Sequence, residues 1–196
     1  MKKFLSMLLA LVVILSAVTI FISCDSDEKD DDATEAVTTT AATTVAATTD
    51  SGLPKGYKLY KNEDISFVYP ESWALLEEDG TVLIQNSETG DNISLTSEPR
   101  TDAYDGIDGM KFAEIYSPIY EQLGMGITDI FVKEKETNGI AVTEILYKVY
   151  MFDSAFYMMT TQYIFHVDDL TYTLVTTVVS DRQFRNKLFT SLELVQ

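Results

Sequence analysis

Only one cysteine and one histidine occur in 196 residues. A single Cys leaves no internal disulfide framework and no zinc site built from several thiolates. A lone His leaves no two- or three-histidine metal centre within one chain. Basic residues are scarce as well, with 14 Lys+Arg against 31 Asp+Glu and a formal charge of −17. Without a basic stripe there is nothing to neutralise phosphates, which argues against nucleic acid as a partner. No Gly-x-Ser-x-Gly elbow is present. Aromatic residues are missing from Cys24 to Gly56, whereas all but Phe4 and Phe21 lie from Tyr57 onward.

What is present begins with a targeting segment. Met1-Lys2-Lys3 is a short positive start, and Phe4 to Ile22 is an uncharged run of 19 residues, long enough to cross a bilayer. Ile22-Ser23-Cys24 follows, then the acidic run Asp25-Ser26-Asp27-Glu28. A small residue directly before the only cysteine, at the end of an apolar run, resembles the lipobox of bacterial lipoproteins, with Phe21 where that family usually carries an aliphatic residue. The resemblance implies a diacylglyceryl group on the Cys24 thiol, cleavage after Ser23, and residence on the outer face of the bacterial cell membrane. The alternative is a retained signal anchor with an idle cysteine. Two acyl chains anchor stably where one is marginal.

Composition divides the chain at 1–23, 24–56 and 57–196. Asp25 to Asp32 holds six acids and one lysine, and Ala33 to Asp50 is mostly Thr and Ala. Such a segment buries too little apolar area to offset its ordering entropy, so it reads as a disordered spacer. As a coil, residues 25–56 would span about 30 Å. The acidic run lacks the spaced ligands and central glycine of a calcium loop, and reads as solvated.

From Tyr57 a period of two dominates. Strands are predicted over Ile65–Tyr69, ended by Pro70, over Trp73–Glu77 and Thr81–Gln85 around an Asp79-Gly80 hairpin, and over Asn92–Ser97. Asp108 reads as the N-cap of a helix whose apolar face is Phe112, Ile115, Tyr116, Ile119 and Leu123. Pro118 predicts a kink or a fresh start capped by Ser117. Strands follow over Ile127–Glu136 and Ile140–Phe152, joined by Asn138-Gly139, then Phe156–Val167 and Leu170–Val179, joined by Asp168-Asp169. The last strand is apolar in part on both sides, which makes it central. Ser180-x-x-Gln183 reads as a capping box opening a helix with Phe184, Leu188 and Leu192 in line. The class is α+β, an antiparallel sheet flanked by helices.

The segment Phe67-Val68-Tyr69-Pro70-Glu71-Ser72-Trp73 resembles the opening signature of the PsbP-like superfamily. Asn92-Ile93-Ser94-Leu95 matches its later "N-[IV]-x-[VL]" strand, and the order of elements agrees over residues 57–196. The resemblance implies an α/β/α sandwich around an antiparallel sheet. Plant members of that superfamily are accessory subunits of photosystem II, and bacterial relatives are often secreted lipoproteins. Trp73 itself reads as a core residue over one end of the sheet.

The candidate chemistry is sparse. His166 sits at a strand end near Asp168 and Asp169, with no nucleophile in view. Thr101 to Gly109 places Asp102, Asp105 and Asp108 three apart in a loop that also holds two glycines, Gly106 and Gly109. That loop supports either calcium coordination or capping of the following helix. Gly124-Met125-Gly126 follows a helix and precedes a strand, the reverse of a nucleotide turn. Tyr147, Tyr150, Phe152, Phe156, Tyr157, Tyr163 and Phe165, with three methionines, crowd one long hairpin. Most must be core, and any outward row is the expected docking surface. These features imply a non-enzymatic, lipid-anchored surface protein whose domain binds a protein partner or assists an envelope assembly, with no cofactor beyond the lipid on Cys24. The alternative is a small-ligand or calcium-binding receptor.

Overall fold

The computed structural model describes residues 53–78, 80–152, 157–177 and 182–195. The expected signal segment, Cys24, most of the expected spacer and Ser180 of the expected capping box lie outside the described residues. No helix among the described residues is long and apolar enough to cross a membrane.

Two sheets form. The larger has seven strands in the order β3-β4-β5-β9-β8-β7-β6, and every pairing is antiparallel. These are β3 (Ala74–Glu78), β4 (Thr81–Gln85), β5 (Asn92–Pro99), β6 (Met125–Thr137), β7 (Ile140–Met151), β8 (Tyr157–Val167) and β9 (Leu170–Thr177). The smaller is β1 (Tyr57–Lys61), β2 (Ile65–Pro70) and β10 (Glu193–Leu194), with β2 in the middle. The described residues also form two α-helices, α1 (Gly109–Glu121) and α2 (Arg182–Thr190).

Turn chemistry fixes the long hairpins. Asn138 and Gly139 both have positive φ, 48° and 79°, the type I′ geometry that matches strand twist. Asp168 takes the same left-handed region at φ 49°. β9 is central as the sequence predicts, lying between β5 and β8.

The large sheet is covered differently on its two faces. On one, Ile84, Ile93, Leu95, Val142, Tyr163, Phe165 and Leu174 meet Ile65 and Phe67 of the small sheet and Phe184, Leu188 and Leu192 around α2. Trp73 closes this layer, 8% exposed, with its ring 5.1 Å from that of Phe184. On the other, α1 lays Phe112 and Tyr120 on Ile145, Tyr147, Val149 and Ile164.

Three expectations change. The α/β/α sandwich gives way to a sheet-dominated arrangement, because one layer is mostly a second sheet. Its middle strand, β2, buries five successive residues from Ile65 to Tyr69, so it needs cover on both sides. The strands β1 and β10 that complete this layer were not in the sequence reading, and β10 is only two residues long. Pro118 does not restart the helix, since α1 runs unbroken to Glu121. It stands in the last turn, where one lost backbone bond is inexpensive, and Gly124 then reverses the chain at φ 71°.

Candidate functional site

Thr101 opens a 3₁₀ turn (Asp102–Tyr104) by accepting the Ala103 amide at 3.2 Å. Asp108 opens α1 by accepting the Lys111 amide at 2.8 Å. Between them, the Asp105 backbone carbonyl accepts from Lys111 Nζ at 3.1 Å. The Asp105 carboxylate turns the other way, with Oδ1 3.7 Å from His166 Nε2 on β8. Asp102 stands exposed in the 3₁₀ turn itself. The loop thus turns two of its carboxylates to separate partners and leaves the third exposed. No group of three His, Cys, Asp or Glu side chains among the described residues is arranged to hold a metal ion.

His166 is fixed from its other nitrogen, since Nδ1 lies 3.0 Å from Thr171 Oγ1 across the β8–β9 turn. Sequence neighbours Asp168 and Asp169 suggest themselves as partners, but the facing carboxylate is Asp105, brought in by the loop before α1. Behind this loop runs a network of neutral phenols. Tyr104 and Tyr116 hydroxyls are 3.4 Å apart, and Gln162 Nε2 donates to Tyr116 at 2.9 Å. Deeper, Tyr120 and Tyr147 share a hydrogen bond at 3.1 Å. Burial pushes all four phenols above their ordinary value, so none supplies a phenolate at neutral pH. The hydroxyl beside His166 is that of Thr171, which is fully buried.

The other prominent feature is on the face of the large sheet that carries the small sheet. Arg185 of α2 covers that face as far as Thr161, donating from Nη1 to its Oγ1 at 3.2 Å. Beyond it the strands continue. Phe131 and Leu146 pair across β6–β7, and Tyr150 and Tyr157 pair across β7–β8. Phe131, Phe152 and Tyr157 are 59%, 54% and 52% exposed, and Tyr150 and Met159 are half-buried.

This row is organised rather than loose. Tyr150 meets Phe152 edge-on, ring centroids 6.0 Å apart. Lys148 Nζ lies 4.8 Å above the Tyr157 ring and 2.6 Å from Asp129 Oδ2. Hydrogen bonding to Asp129 raises the Lys148 pKa, so the ammonium is charged throughout the physiological range. Asp129 reaches Lys148 because the register slips between Thr128 and Phe131, a bulge in which Asp129 takes φ 52°. Of the seven aromatic residues crowding the hairpin, Tyr147, Tyr163 and Phe165 are core and Tyr150, Phe152 and Tyr157 form the outward row; Phe156 is outside the described residues. Phe131 is added by tertiary pairing alone.

Among solved structures, the chain is similar to cyanobacterial PsbP (CyanoP) from Synechocystis sp. PCC 6803. The TM-score is 0.57 at 12% identity, covering 76% of this chain and 98% of that one. The fold is PsbP-like. At 12% identity the likeness is one of fold alone. A crystal structure from Bacteroides thetaiotaomicron matches at a TM-score of 0.41 and 12% identity, over 67% of this chain and 45% of that one. No family model matches the chain, and no curated protein does. The PsbP-like order of elements accounts for the scaffold, while the aromatic row and the His166 cluster are read from this chain's own residues.

Proposed function

We propose that this protein is a non-enzymatic binding module, held on the outer face of the bacterial cell membrane through a lipidated Cys24, with the β6–β8 face as its docking surface for a protein partner. The observation that carries the reading is the row of exposed Phe131, Phe152 and Tyr157 with half-buried Tyr150 among them. Aromatic residues cluster in this way at the centres of protein interfaces, where they supply large rigid area at little entropic cost. The surroundings fit. The face carries Lys133, Lys148 and Asp129 beside the Lys135–Glu144 pair, a nearly neutral island on a chain at −17. Like-charge repulsion disfavours a second copy, and favours a partner offering an apolar patch with an acidic rim to the lysines. The spacer supplies reach of about 30 Å from the lipid.

The test uses the chain expressed in a bacterial host of its own type. Cys24→Ser should release it from the membrane fraction. A photo-crosslinking residue at Tyr157 should yield one discrete adduct that disappears when Phe131 is changed to Asp. An adduct that persists in Phe131→Asp would move docking off this face. Membrane retention of the Cys24→Ser chain would remove the lipid anchor from the reading.

A further inference from the structure

On the opposite face of the large sheet from the aromatic row, a cavity of about 410 Å³ opens between the 3₁₀ turn and strands β6 to β8. Its floor is apolar, made by Ile164 and Ala141. Tyr104 also lines it, together with Asp105 from the loop before α1, Glu134 from β6 and His166 from β8. Each polar group is oriented. Thr143 Oγ1 donates to both Glu134 oxygens, at 2.9 and 3.1 Å. His166 is held by Thr171, and Asp105 stays just beyond hydrogen-bond distance of it at 3.7 Å.

This lining selects among ligand classes. An anion meets two carboxylates and the field of a −17 chain. A neutral apolar guest would strip water from those carboxylates without replacing it. A bare divalent ion lacks three converging ligands among the described residues. An organic cation satisfies every wall. Its stem lies on Ile164 and Ala141, its charged head sits between the carboxylates, and the Tyr104 ring offers a π face. We infer that the cavity bounded by Tyr104, Asp105, Glu134 and His166 binds an organic cation, an alkylammonium or guanidinium group carried on an apolar stem. A free polyamine-type metabolite and a Lys or Arg side chain both present this chemistry. The site is independent of the aromatic docking face.

His166 makes the test clean, because it is the only histidine in the chain and its imidazole resonances report on this cavity alone. The full chain is titrated with cadaverine, agmatine, the blocked tripeptides Ac-Gly-Lys-Gly-NH₂ and Ac-Gly-Arg-Gly-NH₂, calcium, and the neutral Ac-Gly-Gln-Gly-NH₂. Saturable shifts of the His166 signals are expected with at least one organic cation and none with the neutral peptide. Asp105→Asn and Glu134→Gln should each weaken that binding about three- to fivefold, the range of a partly exposed charge pair. Tighter binding of the free amines points to a metabolite, and tighter binding of the peptides points to a basic segment of a partner. Equal response to calcium, no saturable response to any cation, or unchanged binding in the folded double variant would overturn the inference.

Discussion

Gly126 lies directly beneath the ring of Tyr150. A methyl group built on Gly126 would stand 2.5 Å from both the Cζ and the hydroxyl oxygen of that ring. The glycine therefore serves as the floor on which an outward tyrosine lies flat, and the edge strand β6 is covered there by its neighbour's side chain. Gly126→Ala should push the ring off the sheet and disturb the Tyr150–Phe152 contact. Because the ring is the free end of a flexible side chain, the expected stability loss is at the low end of overpacking costs, about 1 kcal/mol. The docking readout should suffer more than the fold. Chemical denaturation and the Tyr157 crosslink, measured on the same variant, separate the two effects.

Trp73 and Phe184 tie the first hairpin to α2. Truncating Trp73 to Ala removes the only indole and opens a void at the edge of the main core, with an expected loss of about 3–5 kcal/mol. Urea denaturation followed by far-UV circular dichroism checks this. A loss below about 1 kcal/mol would show that the signature tryptophan is not a structural keystone.

Asp108→Ala removes the carboxylate that accepts the Lys111 amide at the start of α1. The expected cost is about 1 kcal/mol. Asp102→Ala, at an exposed carboxylate in the 3₁₀ turn, should change stability by less than about 0.5 kcal/mol. Thermal denaturation of the two variants side by side checks the difference between a cap and a bystander.

Asn138 does more than turn a hairpin. Its Nδ2 donates to the carbonyls of Thr190 at 3.1 Å and Leu192 at 2.9 Å, fastening the end of α2 to the β6–β7 turn. Asn138→Gly keeps the backbone free to adopt positive φ but deletes both bonds. It should cost about 1–2 kcal/mol. Hydrogen exchange should accelerate first in residues 188–194 if this fastening holds the C-terminal segment.

Alkaline pH should unfold the domain. Burial, aided by Glu77, pushes the Tyr60 phenol from 10 to about 12, and Tyr163 and Tyr172 are raised in the same direction by burial. The native state thus keeps protons that the unfolded chain releases near pH 10. This stabilisation is whole below that pH and is lost as pH rises through the native values. Tyrosinate absorbance at 295 nm should rise late and steeply, coincident with loss of circular dichroism. A gradual rise centred at pH 10 in a folded protein would contradict the burial of these phenols.

Local chemistry was legible before any fold was known. The Asn138-Gly139 and Asp168-Asp169 turns, the Asp108 cap, the four long strands and the Trp73 core position all rest on near-neighbour rules, which operate within a few residues. The fresh start at Pro118 did not occur because a proline's effect depends on where the helix ends, and that boundary is set by packing and by Gly124. The short β10 carries no periodic signal at two residues, and exists only because β2 offers it an edge.

The candidate sites divide along the same line. By itself the sequence determined an acidic chain, an uncharged run of 19 residues ending just before the lone cysteine, an aromatic-free stretch from Cys24 to Gly56 and an antiparallel α+β domain, since composition and period-two patterning are properties of the chain read in order. Tertiary structure alone decided which aromatic side chains face outward, because the register slip at Thr128–Phe131 and the limit of α2 at Thr161 leave Phe131, Phe152 and Tyr157 exposed. It alone set Asp105 and Glu134 around His166, residues separated by tens of positions in sequence. Which face of a strand is covered depends on what packs against it, and that partner is chosen only when the whole chain condenses.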